Sequence, residues 1–268
     1  MTSLGMTSSG LTKCILITND DGYKSDGLKL LESLARSLSD DVWIVAPEEE
    51  QSGKGHALSL NEPVRYRRLG DKHFAVKGTP TDCVMMAIHK IMPEDHFPTL
   101  LLSGVNRGSN LAEDMTYSGT ISAAMEGTLC GIPSIALSQE VAKDYPHDVF
   151  QVCRDHGLSV LRDLISIPWE KGTLMNINFP LNSENVKGVK ATSQGFRDDA
   201  EVFIDARVDV RGRPYYWIGF RRQFGVPKIG TDLAAVEDGY ISVTPLHLDL
   251  THEESLLTMG DNINKDFK

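Results

Sequence analysis

In the string CILITNDDGYKSDGL, residues 14–28, two carboxylates stand side by side: Asp20 and Asp21 follow the apolar, β-branched run at positions 15–18. At the tip of a buried strand, like charges this close repel, and desolvation adds to the cost. A cation or a proton must balance them. Two other strings offer oxygen in similar surroundings. PEEEQSGKGHALS carries Ser52, Gly53 and Gly55, and SGVNRGSN carries Asn106 between glycines that let backbone approach a ligand. Asp20, Asp21, Ser52 and Asn106 together supply two carboxylates, a hydroxyl and an amide carbonyl. These are hard donors, suited to Mg²⁺, Mn²⁺ or Ca²⁺ and not to zinc, which prefers nitrogen and sulfur. A fourth string, YSGTISAAMEG, places Ser118, Gly119 and Thr120 at the start of a helix. Unpaired N–H groups there favour an anion, and a phosphate bridging cation and helix start accounts for both features. Taken singly, Asn-Asp-Asp-Gly is also ordinary turn chemistry and Ser-Gly-Thr an ordinary cap. The reading rests on their convergence.

That convergence requires the three oxygen-rich loops to leave strands on one sheet edge. The spacing predicts strands over 13–18 and 41–47 joined by a helix over 27–38, a β-α-β unit with parallel strands. In GTPTDCVMMAIHKIM, Thr79 reads as an N-cap, Pro80 as the first helical residue and Asp82 as the acidic group of the first turn. A third strand over 99–103 ends at Gly104. A helix capped by Ser118 or Thr120 and closed by Gly131 precedes the strand SIALS, a helix over 148–164 and the strand TLMNINFP. Alternation of this kind predicts an open α/β sheet with helices on both faces, whose ligands sit beyond the carboxyl ends of the strands. After Pro180 the pattern changes to charged residues alternating with aromatic and β-branched ones around Gly212. Residues 187–230 therefore read as a hairpin-like excursion suited to a subunit contact, with Tyr215, Tyr216 and Trp217 as an interface anchor or one buried face of the hairpin. No helix is expected after it until the tail near His252.

Composition narrows the function classes. Of 268 residues, 27 are Lys or Arg and 37 are Asp or Glu, a formal net charge of -10 that disfavours a nucleic-acid polymer as ligand. No apolar run reaches transmembrane length. The string MTSLGMTSSGLTK has no basic start or continuous apolar segment, so residues 1–12 read as a flexible leader and not a secretion signal. Cys14, Cys83, Cys130 and Cys153 form no C-x-x-C pair and read as reduced core thiols. Cytoplasmic localisation follows by default. GYKSDGLK has the glycine spacing of a P-loop with Leu28 at the lysine position, SGKGHAL has Leu58 where a dinucleotide fingerprint needs glycine, and HEESL lacks a second histidine. His56, His89 and His247 have no partner at helical spacing and read as packing or surface residues.

ILITNDDG, VAPEEEQSGKGHALS, GTPTDCV, LLSGVNRGSN, YSGTISAAMEG and ISVTPLHLDLT together resemble, in order and spacing, the SurE family of survival-protein nucleotidases. The resemblance runs from about Lys13 to near the C-terminus. It implies a Rossmann-like core spanning 13–268, with 187–230 as an oligomerisation arm and 231–268 as a C-terminal segment exchanged within a homodimer or homotetramer. It implies one divalent metal ion per subunit, Mg²⁺ or Mn²⁺ with Ca²⁺ as another occupant, held by Asp20, Asp21, Ser52 and Asn106. It also implies that Gly53 and the Ser118-Gly119-Thr120 turn face phosphate. The implied activity is hydrolysis of nucleoside 5′- and 3′-monophosphates, with some trimming of short polyphosphate. Asp20 and Asn106 are the expected catalytic residues, Asp20 orienting or deprotonating the attacking water or itself attacking phosphorus. A non-catalytic nucleotide- or anion-binding module on the same sheet is the alternative, with Asp20 and Asp21 in a plain turn. An assembly protein acting through the arm is another.

Overall fold

Strand β1 (Ile15–Thr18) is buried along its whole length, as a run without a polar face requires of a central strand covered on both sides. The computed structural model describes residues 13–142, 148–197, 200–222 and 225–263, so the expected leader, 1–12, lies outside the described residues. Helix α1 (Asp26–Arg36) starts where Ser25 accepts a hydrogen bond from the Leu28 N–H, and it buries Leu28, Leu31 and Leu34 at helical spacing. β2 (Val42–Pro47) returns parallel to β1. An antiparallel pair not foreseen from the sequence follows: β3 (Arg65–Gly70) and β4 (His73–Lys77), with β4 against β2. Helix α2 (Pro80–Met86) opens on the Thr79–Asp82 capping box and continues through a π-turn to Ile91.

β5 (Leu100–Arg107) extends past Gly104, where its termination was expected. The ladder to the next strand shifts register between Ser103 and Asn106. This bulge lets β5 carry Asn106 as part of the strand. Gly104 has a φ of 139°, and a Cβ there would lie 2.3 Å from the Leu137 carbonyl oxygen, so only glycine fits. Then come α3 (Gly119–Leu129), β6 (Ser134–Gln139), α4 (Gln151–Ser166) and β7 (Thr173–Phe179).

The C-terminal third departs from expectation in two places. Residues 187–230, read as leaving the sheet as a whole, first contribute β8 (Gly188–Ala191) to its edge. Only β9 (Ala200–Val208) and β10 (Pro214–Arg222) form the separate hairpin, which turns through Gly212 at a φ of 75°. Helix α5 (Asp232–Glu237), capped by Thr231, precedes the tail where no helix was expected. It escapes pattern reading because it is less than two turns long. β11 (Tyr240–His247) inserts between β7 and β8, and α6 (Glu253–Ile263) follows.

The main sheet runs β3-β4-β2-β1-β5-β6-β7-β11-β8. Its pairs are parallel except β3 with β4 and β7 with β11. Side chains alternate between its faces. Ile15 and Ile17 join a cluster with residues of α1 and α4, while Cys14 and Leu16 join another with residues of α2 and α3. Helices thus cover both faces. The chain moves from β1 outward to β2 and later returns to the other side of β1 as β5, so strand order reverses between β1 and β5. A crevice opens at such a point. No helix among the described residues is long and apolar enough to cross a membrane.

Candidate active site

Asp20 and Asp21 follow the carboxyl end of β1, and Asn106 lies near the end of β5, so the two sides of the reversal carry the candidate ligands. The turn between them and α1 is built by Asn19, whose amide donates to the Gly22 carbonyl at 3.0 Å and to Ser25 Oγ at 2.7 Å. Gly22 takes a φ of 91° there, with the backbone of Glu49 close against it. Asn19 is fully buried, and its own Oδ1 has no hydrogen-bond partner among the described residues.

Asp20 is 4% exposed. Its Oδ1 accepts the Thr120 hydroxyl at 2.6 Å, and the Thr120 backbone N–H supports the same carboxylate. Burial nevertheless raises its pKa, and the charge of Glu50 adds to the effect. Gly119 is required beside it, since a Cβ there would stand 2.7 Å from Asp20 Cβ and 3.0 Å from Oδ2. Asp21 is pushed up to about 6, by burial first and by the Asp20 charge second. It accepts the Arg107 N–H at 3.3 Å, which draws it to the end of β5 next to Asn106. The Asn106 amide donates to the Gly108 carbonyl at 2.8 Å, leaving its oxygen as the atom able to bind a cation.

The second loop is tied over the site by its backbone. Gln51 N–H donates to the Asp20 carbonyl at 2.8 Å and Gly55 N–H to the Tyr117 carbonyl at 3.1 Å. His56 pairs with Glu126 of α3 at 2.9 Å, and Asp82 accepts both the N–H and the hydroxyl of Ser59. Ser52 therefore sits one residue beyond the tie to Asp20. Its hydroxyl donates to Glu50 at 2.9 Å and keeps its lone pairs for a cation. Gly53, at a φ of 73°, has open space where a side chain would be.

The hydroxyls at the start of α3 have partners within the protein. Ser118 Oγ caps α3 by accepting the Ile121 N–H at 3.1 Å, and the Thr120 hydroxyl belongs to Asp20. The Thr120 hydroxyl is thereby committed to Asp20, while the Ser118 hydroxyl, which only accepts, keeps its proton to donate and the Gly119 N–H lies beside it at the helix start. Glu50 and Asn19 were not singled out from the sequence. PEEE reads as a solvated acidic run, and nothing local says that its third glutamate raises both aspartates.

The residues present suit a divalent cation. The raised pKa values of Asp20 and Asp21 show two carboxylates short of positive charge, and Glu50 adds a third acid. Without a metal, both groups cost stability when ionised. A carboxyl whose folded pKa is raised lends stability below its unfolded pKa and loses it as pH rises through the folded one. The chelator-treated protein is thus expected to lose thermal stability as pH rises from about 4 to above 6. Asp21→Asn should melt higher than the parent at pH 7 in EDTA, with the gap closing near pH 4. Thermal melts across that range check it, and an Asp21→Asn protein melting below its parent at pH 7 would contradict the electrostatic account.

Residues 15–201 match the family model described as "Survival protein SurE". A protein named 5′-nucleotidase SurE from Hyphomonas neptunium is 50% identical over 250 residues, covering 92% of this chain and 98% of its own. One of the same name from Methylorubrum extorquens (strain PA1) is 53% identical over 244 residues, covering 90% and 96%. The crystal structure of the SurE protein from Aquifex aeolicus superposes with a TM-score of 0.79 at 38% identity, covering 94% of this chain and all of the other.

Proposed function

The chain belongs to the survival protein SurE family, and from that premise we propose that it is a divalent-metal-dependent phosphomonoesterase that hydrolyses nucleoside 5′-monophosphates. The observation that carries the reading is the pair Asp20, buried, and Asp21, half-buried, both underneutralised and flanked by Asn106 and the start of α3. Asp20, Asp21, Ser52 and Asn106 would hold the ion, Mg²⁺ or Mn²⁺ with Ca²⁺ as a further occupant. When bound, such an ion supplies charge neutralisation on the transferring phosphoryl group and activation of water.

The chain's own groups do the rest. Thr120 fastens Asp20 Oδ1 and leaves Oδ2 to orient the attacking water or take its proton. Asn106 completes the opposite wall. Gly119 N–H donates to an equatorial phosphate oxygen, with the positive end of α3 behind it. Gly53, without a side chain, lets the second loop close over the phosphate. The same site accepts nucleoside 3′-monophosphates and the end of short polyphosphate as secondary substrates, since it grips phosphate and metal more than base.

A homo-oligomer, a dimer or a tetramer, accounts for the apolar surface of the C-terminal third. Val202, Ile204, Trp217 and Ile218 on the hairpin and Leu256 and Leu257 on α6 are all exposed. Exchange of the segment after β11 between subunits would cover them. The four cysteines are free, in keeping with the cytoplasm.

Treatment with EDTA is expected to abolish hydrolysis of p-nitrophenyl phosphate and AMP, and Mn²⁺ or Mg²⁺ to restore it. A panel of 5′- and 3′-nucleotides and tripolyphosphate under each metal orders the substrates. Undiminished activity after EDTA overturns metal dependence. Binding of AMP without turnover under every metal favours a non-catalytic module instead.

A further inference from the structure

At the opposite edge of the sheet, three side chains of metal-binding type converge where β1 and β2 begin. The ligand atoms of Cys14, Asp41 and His96 lie within 4.8 Å of one another. We propose that Cys14 Sγ, Asp41 Oδ2 and His96 Nε2 form a second metal site that takes a zinc-class transition metal, with water completing the coordination.

The donor set itself separates this site from the first. Sulfur, imidazole nitrogen and a single carboxylate oxygen suit Zn²⁺ and disfavour Mg²⁺ or Ca²⁺. Three protein ligands leave a fourth position, and the half-exposed His96 side chain opens it to solvent, 39% of its surface being accessible. Support around the ligands is already built. Asp41 Oδ1 accepts Lys72 Nζ at 2.8 Å and Trp43 Nε1 at 3.1 Å, which turns Oδ2 toward His96. Outer partners of this kind orient metal ligands. Cys14 is anchored by its backbone, N–H and carbonyl both bonded to the Thr99 hydroxyl.

In the metal-free state the same groups form a proton-filled network. Although burial pushes it up, hydrogen bonds from Lys72 and His96 hold the Asp41 carboxyl below its ordinary value, so it is an anion. Burial, and then the Asp41 charge, push the Cys14 thiol up to about 12. A cation entering the cluster reverses that balance, because a coordinating thiol is deprotonated outright. The thiol proton leaves to solvent, the proton on His96 Nε2 exchanges through solvent so that the neutral ring keeps one on Nδ1, and Nε2 offers its lone pair. Thiolate and carboxylate then carry two negative charges against the metal's two positive ones, and Lys72 stays on the outer oxygen. Nε2 and Oδ2, 2.5 Å apart, must separate by about 1 Å to admit tetrahedral zinc, whose bonds are about 2.0–2.3 Å. His96 lies on the loop between Met92 and Thr99 with its ring against Trp43, and a rotation of that side chain supplies the movement.

The test is cobalt titration of the full-length protein, stripped of metal and then saturated with Mg²⁺ to fill the acidic site. Wild type should bind one equivalent of Co²⁺ with a thiolate-to-cobalt band in the near ultraviolet, bleached by Zn²⁺. Asp20→Asn should keep the band, Cys14→Ser should lose it, and His96→Ala should weaken Co²⁺ binding about tenfold or more. No band in wild type, or a band that survives in Cys14→Ser, overturns the site. Should Cys14→Ser fail to fold, His96→Ala decides alone: unchanged cobalt affinity there also overturns it.

Discussion

Asp20→Asn is expected to lower the turnover of AMP by about a thousandfold at saturating Mn²⁺, while leaving the protein folded. The substituted amide keeps an oxygen for the Thr120 hydroxyl, so the contact at 2.6 Å survives. What it loses is the negative charge and the lone pairs of one carboxylate oxygen. A metal's electrostatic assistance is worth several kcal/mol, and each 1.36 kcal/mol is a factor of ten, hence about three orders of magnitude. In EDTA, stability should move the other way. Burial raises the pKa of Asp20, so an uncharged isostere removes a cost at neutral pH. Steady-state kinetics beside a thermal melt separate the two effects. Wild-type turnover in this variant would remove Asp20 from the chemistry.

Gly27→Ala is expected to destabilise the fold by about 3 kcal/mol or more. Alanine is ordinarily better than glycine inside a helix by about 1 kcal/mol, so propensity alone would predict a gain. Position 27 reverses the sign. A Cβ there would stand 1.9 Å from the Val105 carbonyl oxygen and 3.2 Å from the Phe150 ring. The first obstacle is backbone of β5, which cannot swing aside as a side chain does. Relief would require α1 to lift from the sheet or β5 to move at the residue before Asn106. Urea unfolding at pH 7 measures the loss. Activity should fall with it, because the displaced strand carries a proposed metal ligand. An unchanged midpoint would show that α1 does not sit as tightly on β5 as described.

The parts of the fold legible in the sequence are those with one strong period. β1, β2, β5, β6 and β7 are buried runs, α2 is capped by Thr79 as read, and α3 by Ser118, one of the two caps expected for it. Parallel pairing of β1 with β2 followed from the helix between them. β3 was not legible because RYRRLG is an exposed edge strand, five of its six residues reading as surface. α5 is too short for a period to show. At the site, residue types and loop positions brought Asp20, Asp21 and Asn106 to one crevice. The assignment of individual hydroxyls was not available, because Thr120 reaches an aspartate 100 positions earlier in the chain.

The residues just ahead of the hairpin are tied close to the proposed active-site crevice. Arg197, 8% exposed and just ahead of β9, pairs with Glu113 at 2.8 Å and Asp114 at 3.1 Å, and Asp232 accepts N–H groups from both Gly195 and Ala112. Residues 112–116 form the short turn that leads directly into Ser118 and α3. Root and turn are one joint. The Arg197 guanidinium thus fastens the residues ahead of the arm to the turn that leads into Gly119.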